Sequence, residues 1–550
     1  MTAPVDRRDF MLGLVAAGYA LQAGSAAAAV TATNAAGDPG LVSQPWAVWD
    51  KTEKPVRGGI LRTAAEVYIG KMNPDHWPVL DWLTIDDFYE KLIYTDGSYR
   101  PTEPWLLESL SYDNPTTAIT KLRPGITFQD GTRFDAAAIK SVIDWIRDPA
   151  NGAWSASWLK PLDTVEVVDD LTVRWHFKTP WASFPGVISN VPGYMISPAA
   201  LKKSTTDTDT HPVGTGPYIL DEASPGNFVR VKRNPNWWFA KASGHPDMPY
   251  FDGMLVTIIP DPAVRLANLR AGTIDVLLGV DKSQYAGIKN DPALNVYVRP
   301  QNSLNALRFN CTKGVCKDIR IRKAISHAID RRALIAGTQF GLARIASCMF
   351  PDDHWAHNPN LKPVSYDPDL AKSLLKQAGH AGGLTVRGYY NNTSNGQTIA
   401  AAIKNMLADV GVTWDVELLA PVAETVPLKS ADYDLAEGGW TYIYDPDLIA
   451  TGLYMPDGGF NFGRSHDEAA IKLIEAGRVE LDHAKRQQIY WQLDKVLYDN
   501  YEDAWLWYEE TVTALRKNVR GWNNAQLNKF EEIWYWSHPL WFKDGKSDSA

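Results

Sequence analysis

The chain has 550 residues, of which 45% are hydrophobic and 22% charged, and its formal net charge is -9. This length exceeds what one hydrophobic core organises, so a single small domain is excluded. The acidic balance, with Lys and Arg dispersed along the chain, argues against a nucleic-acid-binding protein, which would carry a basic stripe.

Residues 5–29 have the pattern of an export signal. Arg7 and Arg8 precede a short apolar stretch that ends in an alanine-rich run. The arginine pair resembles the twin-arginine motif of proteins that are exported in the folded state. Glycines interrupt the apolar stretch, which is too short to span a membrane, and no cysteine follows that could carry a lipid. We therefore expect a signal over residues 1–36 and a mature periplasmic protein without a lipid anchor.

The first half of the chain, up to about Pro300, alternates short strand patterns with turn signals. The run LRPGITFQDGTRF leads into an amphipathic helix pattern from Asp135 to Ile146. The alternating residues around Asp169-Asp170 predict a hairpin. The run MLVTIIPDPAVRLANLRAGTIDVLLGV predicts a strand, a helix and a second strand, which is the crossover unit of a parallel sheet.

A glycine-rich loop, Val213 to Tyr218, invites a phosphate-binding interpretation. It lacks the Lys and the Ser or Thr of a P-loop and the third glycine of a dinucleotide motif, and it leads into a strand. We interpret it as a structural turn.

The segment from Asn302 to Ile335 joins the two halves. It contains a strand pattern and then a helix that we expect to begin after Asp318 and to run without a break, with its arginines mostly away from the buried face. Between them lie Cys311 and Cys316, which either form a small disulfide loop or stay as thiols. A further strand-helix-strand pattern follows, LTVRGYY, QTIAAAIKNMLADVG and VTWDVELLA.

Several of these runs resemble one family in sequence order. RFN followed by DIRIRKAISHAIDRRALI, the LRPG and DGT run, and VGTGPY are similar to phrases of extracellular solute-binding proteins of the peptide, opine and nickel type. The resemblance implies an α/β fold, the two-lobed periplasmic binding protein of type II, in its large peptide-binding class, with an extra subdomain in the first lobe. It divides the chain into a first lobe of residues 37–82, 208–300 and 510–550, an inserted subdomain of residues 83–207, and a second lobe of residues 301–509.

The function that this resemblance implies is ligand capture for an ABC importer. Two hinged lobes would close over a small organic solute and deliver it to an inner-membrane permease, without covalent chemistry and without a cofactor. We expect a monomer. The resemblance leaves the solute open among small peptides, modified peptides, opine-like conjugates and metal chelates.

One loop, EGGWTYIYDPDLIATGLY, is similar to the family loop that places a Trp and, three residues later, an Asp that pairs with the α-amino group of a peptide. Here the Trp is Trp440, but the third residue onward is Ile443. A buried ammonium would lose its partner, which favours an uncharged or aromatic amide-containing solute. Asp445 and Asp447 are the two carboxylates that could substitute for the missing partner, and Asp445 has the alternative role of capping the helix that begins at Pro446.

The 22 Trp and 23 Tyr residues suit aromatic walls around an apolar, cyclic or cationic ligand. From this composition and from the family loops we select ligand-binding candidates. They are Tyr68, Trp158, Asn391, Asn392, Trp440, Tyr442, Tyr444 and Asp445.

Two other classes of protein, a secreted hydrolase and a ligand sensor, are alternatives to an importer receptor. His354 and His357 lie in a loop without a third metal ligand nearby, so we expect surface histidines and no metal site. Carboxylates are available for a secreted glycoside or peptide hydrolase, but no G-x-S-x-G or H-E-x-x-H motif occurs. A sensor that presents its closed form to a membrane receptor is the third alternative.

Overall fold

A computed structural model describes residues 53–66, 70–76, 85–95, 99–441, 445–522 and 539–547. The predicted export signal and the candidates Tyr68, Tyr442 and Tyr444 lie outside these ranges. In the part of the chain that is described, no helix has both the length and the apolar character needed to cross a bilayer.

Strands and helices alternate along the chain. In chain order the strands are β1 Ile60–Ala65, β2 Ile93–Tyr94, β3 Glu103–Pro104, β4 Leu107–Asn114, β5 Thr117–Leu122, β6 Leu162–Asp169, β7 Thr172–Phe177, β8 Tyr218–Ser224, β9 Phe228–Arg233, β10 Gly253–Ile258, β11 Val276–Leu277, β12 Leu294–Phe309, β13 Ala343–Ile345, β14 Leu384–Asn391, β15 Val412–Leu419, β16 Leu435–Thr441, β17 Asp503–Arg516, β18 Val519–Arg520 and β19 Trp541–Phe542. The α-helices are α1 Ile85–Phe88, α2 Ala136–Arg147, α3 Phe184–Ile188, α4 Pro198–Leu201, α5 Trp238–Ala242, α6 Pro262–Ala271, α7 Tyr285–Ile288, α8 Ile319–Ala328, α9 Arg331–Thr338, α10 Pro368–Gln377, α11 Ser394–Ala408, α12 Pro421–Ser430, α13 Pro446–Tyr454, α14 Glu468–Val479 and α15 His483–Asn500.

One mixed sheet extends through both halves of the molecule in the order β16-β12-β17-β11-β1-β10-β9-β8. Strand β1 pairs in parallel with β10 and with β11, and helix α6 connects these two strands. The predicted strand-helix-strand unit is therefore confirmed. Its helix is capped by Asp261 and stops at Gly272, whose left-handed backbone a side chain would strain.

Two long antiparallel strands, β12 and β17, cross from one half to the other. Near the first half β17 pairs with β11, and in the second half β12 pairs with β16. The ladder between β12 and β17 is irregular from Pro300 to Leu304. The two halves are thus joined by a paired ribbon whose regular hydrogen bonding is interrupted midway.

The first half, which we call the first lobe, has a core of buried side chains from residues 61–256, closed by Leu515 and by Trp541 and Phe542 near the carboxyl terminus. An antiparallel sheet in the order β4-β5-β7-β6 and helix α2 belong to it. Helix α2 buries the apolar face that its periodicity predicted. The predicted hairpin is confirmed as the pair of β6 and β7.

The second half, the second lobe, contains the parallel pair β14 and β15 with helix α11 between them in the chain, which confirms the second predicted unit. Leu307 and Phe309 on β12 belong to the core under helices α8 to α11. A separate cluster gathers helices α13 to α15 around Tyr490 and Trp505. The residue boundaries of lobes and subdomain remain a prediction.

The joining helix differs from its prediction. It is broken into α8 and α9, and Asp330 caps the second piece by accepting from the amides of Arg332 and Ala333. Arg331, expected away from the buried face, is 3% exposed. Its guanidinium donates to the carbonyl oxygens of Ser326 and Trp505, so the break places a cation where it satisfies buried main-chain acceptors.

The structure also explains the cysteine pair and the glycine-rich loop. Cys311 and Cys316 are both free, and the Cys311 thiol donates to Glu502 Oε2 at 3.2 Å. A Cβ atom added to Gly214 would lie 2.1 Å from the carbonyl oxygen of Phe88, which explains the glycine by close backbone packing rather than by phosphate binding.

Candidate ligand-binding cavity

A cavity of about 420 Å³ lies between the two lobes. A space of this size accommodates a small organic molecule rather than a long extended peptide. The first lobe contributes Ser157, Trp158, Lys160, Pro161 and Trp181, and the second lobe contributes Trp440, Asp447, Leu448, Ile449, Thr451, Gly452, Leu453, Met455, Asp457, Gly458, Gly459, Phe460 and Arg478.

The wall from the first lobe is aromatic and held in place by packing. Trp158 lies in the short 3-10 helix Trp154–Leu159, edge-on to Trp154 with ring centres 5.0 Å apart. The indole nitrogen of Trp154 donates to the carbonyl oxygen of Pro74 at 3.0 Å. Trp181 is 1% exposed and packs on Phe184. Trp158, one of the ligand-binding candidates, therefore lines the cavity.

The wall from the second lobe begins at the end of β16. Trp440 pairs with Leu304 of β12 and contacts Phe460, with ring centres 4.6 Å apart. Because β16 ends there and helix α13 follows shortly, one short segment supplies both an aromatic wall and a helix amino terminus. The candidate Trp440 also lies on the cavity.

The polar part of the cavity is a network around Asp447, which is 4% exposed. Arg478 Nε donates to its two oxygens at 3.2 and 3.3 Å. Thr451 Oγ1 donates to Asp447 Oδ1 at 2.9 Å, and Arg478 Nη2 donates to Thr451 Oγ1 at 2.6 Å. The buried carboxylate is thereby paired with a cation, as a buried charge requires.

This network also joins the lobes. Ser183 Oγ, from the first lobe, donates to Asp447 Oδ2 at 2.7 Å. The amide of Ala182 donates to the carbonyl oxygen of Arg478 at 2.8 Å. Residues that line the cavity thus also form the contact between the lobes.

Asp445, a ligand-binding candidate, has the capping geometry that was its alternative. It accepts from the amide of Asp447 at the start of helix α13. Arg486 Nη1 and Nη2 donate to its two oxygens at 2.8 and 2.7 Å, and Asp445 is 1% exposed. Burial lowers the pKa of Arg486, but the combined effect of Asp445, Tyr490 and Asp447 raises that pKa above its usual value. Both oxygens of Asp445 are therefore occupied by protein groups, and it is not among the residues lining this cavity.

The amide candidates are Asn391, the last residue of β14, and Asn392, which follows it, and neither is among the residues that line the cavity. Asn391 Nδ2 donates to both oxygens of Glu437 at 2.7 Å. Asn392 is exposed, and its amide donates to the carbonyl oxygen of Leu419. Their contact with a ligand remains a prediction, as does that of Tyr68, Tyr442 and Tyr444.

The prediction that His354 and His357 lie on the surface is wrong. His354 is 3% exposed and stacks on Tyr99 of the first lobe, with ring centres 5.5 Å apart and planes inclined by 13°. His357 is half-buried, and its Nδ1 lies 2.8 Å from the carbonyl oxygen of Phe350. Within the described ranges, no three His, Cys, Asp or Glu side chains are grouped so that they could hold a metal ion.

Sequence reasoning overlooked several residues of the cavity. Lys160, Asp457, Phe460 and Arg478 come from separate segments and follow no recognisable spacing. Phe460 lies six residues past the end of helix α13, where a pattern search for helical faces would not have included it.

Two lobes, a ribbon of two crossing strands and an interlobe cavity with aromatic and paired polar walls define a solute receptor. The chain belongs to the bacterial extracellular solute-binding proteins, family 5, whose sequence model matches residues 102–461. The protein is thus the substrate-binding component of an ABC importer and not an enzyme.

Individual relatives agree with this assignment. The glutathione-binding protein GsiB of Escherichia coli O1:K1 is 29% identical over 448 residues, which cover 79% of this chain and 86% of the relative. The ABC transporter substrate-binding protein CtaP of Listeria monocytogenes is 25% identical, with a TM-score of 0.77 over 88% of this chain and 100% of CtaP. DppA of Helicobacter pylori, in complex with the peptide STSA, shares the fold with a TM-score of 0.76 at 21% identity, over 89% of this chain and 99% of DppA. The predicted two-lobed fold of type II is confirmed.

Proposed function

We propose that the protein captures a small peptide-like organic solute between its lobes in the periplasm and delivers it to an inner-membrane ABC permease. The observation that carries this proposal is the cavity itself. Its walls come from both lobes, and the contact between Ser183 and Asp447 borders it. A solute in that position would touch both lobes at once and favour the arrangement in which they meet.

The closing motion is a shift between two populations. A ligand that contacts both lobes binds the closed form better than the open one and so increases its population. The irregular register of β12 and β17 between Pro300 and Leu304 supports bending there, since strands lose their regular ladder at that point. The permease would then receive the closed form with its solute unchanged.

Relatives support an organic solute with polar amide or carboxylate groups. By their names and descriptions, GsiB binds glutathione, DppA was solved with the peptide STSA, AgaA with agropinic acid, and NikZ of Campylobacter jejuni with Ni(L-His). Two of these four ligands, glutathione and STSA, are peptides, and the other two are agropinic acid and a chelate of the amino acid histidine. The aromatic walls at Trp158 and Trp440 support a solute with an apolar portion.

Native mass spectrometry of protein freshly purified from periplasm tests the proposal. We expect a non-covalent adduct in the mass range of a small peptide-like compound, which is lost on denaturation with its mass unchanged. Recovery of protein without any adduct, combined with no binding to a panel of peptides, opines and chelates, would contradict the proposal. Conversion of the captured compound by the protein would also contradict it.

We further propose export through the twin-arginine route, which rests on Arg7 and Arg8 in the sequence. Replacement of both by Lys is expected to leave the protein in the cytoplasm, as measured by fractionation, while a co-expressed protein with a general secretory signal still reaches the periplasm. Periplasmic accumulation of the Lys variant would rule out this route.

A further inference from the structure

Asp75 is bound to the short 3-10 helix Trp154–Leu159, the segment of the first lobe that brings Trp158 to the cavity. The amide of Trp154 donates to the carbonyl oxygen of Asp75 at 3.0 Å, and Ser155 Oγ donates to Asp75 Oδ1. Trp158 packs edge-on to Trp154, with ring centres 5.0 Å apart. The residues that bind Asp75 are therefore in the same short helix as a ring that lines the cavity.

The loop that contains Asp75 is held by other parts of the first lobe. The amide of Asp75 donates to Asn73 Oδ1 at 2.9 Å, and Asn73 Nδ2 donates to Thr208 Oγ1 at 2.8 Å. The amide of Met72 donates to the carbonyl oxygen of Asp209 at 2.8 Å. Because the loop is fixed in this way, the hydrogen bonds from Asp75 can hold the 3-10 helix in one position.

The carboxyl group of Asp75 is buried and only one of its oxygens is hydrogen-bonded. Asp75 and Ser155 are both 0% exposed, and Asp75 Oδ2 has no hydrogen-bond partner in the described part of the chain. Lys71 pairs with Asp209 and not with Asp75. Burial raises the pKa of Asp75 to about 7, against the opposite effects of Ser155 and His76. Loss of the proton thus leaves a buried carboxylate with little compensation.

Three other titratable groups face Asp75. His76 Nδ1 lies 2.6 Å from Asp209 Oδ1, and His76 Nε2 lies 2.8 Å from the carbonyl oxygen of Asn151. Burial, together with the charges of Asp209 and Asp75, raises the pKa of Tyr89 well above its usual value. Since histidine side chains titrate near neutral pH, an experiment that varies pH has to distinguish His76 from Asp75.

We propose that Asp75 is a positioning residue of the cavity, which holds Trp158 in the wall while its carboxyl group is protonated and releases the 3-10 helix when the proton is lost. Release lets water reach the carboxylate, which offsets the cost of the buried charge. A solute that packs on Trp158 therefore binds more tightly below neutral pH than above it. This deepens the proposed function by adding a pH response to the same cavity, and its effect on solute capture rests on that function.

Fluorine-19 NMR of the protein labelled with 5-fluorotryptophan tests this proposal without any solute. The resonances of Trp158 and Trp440 are assigned by their loss in Trp158→Phe and Trp440→Phe. We expect the Trp158 resonance to shift with pH, with a midpoint at about 7, while Trp440 of the second lobe stays constant. Asp75→Asn keeps a neutral side chain that can still accept from Ser155, so Trp158 should keep its low-pH resonance throughout.

Ser155→Ala provides a second, independent variant. The hydrogen bond from Ser155 lowers the pKa of Asp75, so its loss should move the midpoint at Trp158 to higher pH. Asp163→Asn is the matched control, because Asp163 is an exposed carboxylate of the first lobe that does not line the cavity. We expect this control to reproduce the wild-type curve.

Four results would each overturn the proposal. They are a Trp158 resonance that does not respond to pH, a response that persists in Asp75→Asn and so belongs to His76, an unmoved midpoint in Ser155→Ala, and an equal response of Trp440. A melting temperature that changes in Asp75→Asn without any change at Trp158 would show that Asp75 is a structural residue only. Because no solute takes part, such results leave the receptor function standing, and that function is tested separately by native mass spectrometry.

Discussion

Ser183 Oγ donates a hydrogen bond to Asp447 Oδ2 at 2.7 Å, across the boundary between the two lobes. The carboxylate that accepts it is also bound by Arg478, and both Asp447 and Arg478 line the cavity. The surface that contacts a solute and the surface that joins the lobes therefore share side chains. For this reason we expect solute affinity to respond to substitutions that touch only the contact between the lobes.

Ser183→Ala removes the hydroxyl from this contact. A hydrogen bond to a charged group contributes about 1.5 kcal/mol or more, so we expect solute affinity to fall about tenfold in calorimetry. Ser189→Ala is a matched control, because the Ser189 hydroxyl donates to Gly186 within the same lobe. Unchanged affinity in the Ser183 variant would show that the contact does not contribute to the bound form.

Gly186→Ala inserts a methyl group between the lobes. A Cβ at Gly186 would lie 2.4 Å from Cβ of Asp445, a clash that separation of the lobes relieves. We expect affinity to fall at least tenfold and small-angle scattering to show a larger radius of gyration with saturating solute, while the melting temperature without solute changes little. Gly337→Ala, where a Cβ meets nothing within 4 Å, is the control. Full closure of the Gly186 variant would contradict this prediction.

Asp445→Asn breaks the buried pair with Arg486. Removal of one partner leaves an uncompensated charge, and the cost is about 3 kcal/mol. We expect a lower midpoint in chemical denaturation, both with and without solute. If stability were instead unchanged and only affinity fell, Asp445 would be a ligand contact and not a structural residue.

Asp75 makes stability depend on pH. Burial raises the pKa of Asp75 to about 7, although a hydrogen bond from Ser155 and the neighbouring His76 act in the opposite direction. Its contribution to stability is therefore fully present below the unfolded pKa near 3.8 and is lost as pH rises through about 7. Asp75→Asn should match the wild type at pH 3.5 and be more stable at pH 8.5, by about 4 kcal/mol at most. Parallel stability curves from pH 4 to 8 would contradict it.

Most of the local structure could be predicted from the sequence. Helices α2 and α11, the hairpin of β6 and β7, and two strand-helix-strand units follow from periodicity and turn residues, which act over a few positions. The break between α8 and α9 could not be predicted from the sequence. Arg331 is buried there because it donates to the carbonyl oxygen of Trp505, which is far away along the chain.

The candidate site, like the fold, could be predicted from the sequence only in part. The family loop and the abundance of aromatic residues led to Trp158 and Trp440, which the fold brings to one cavity. Asn391 and Asn392 do not line this cavity, and both oxygens of Asp445 are bound by Arg486. Arg478, Lys160 and Asp457 had no signal in the sequence, since each is an ordinary charged residue in its own segment.

The sequence by itself determined the class of protein, the order of its strands and helices, and the aromatic character of its site. Only the tertiary structure decided which charges are paired and which residues line the cavity. The reason is physical. Secondary structure is set by neighbours within a few residues, whereas the pairing of Ser183 with Asp447 depends on how two separately packed lobes meet.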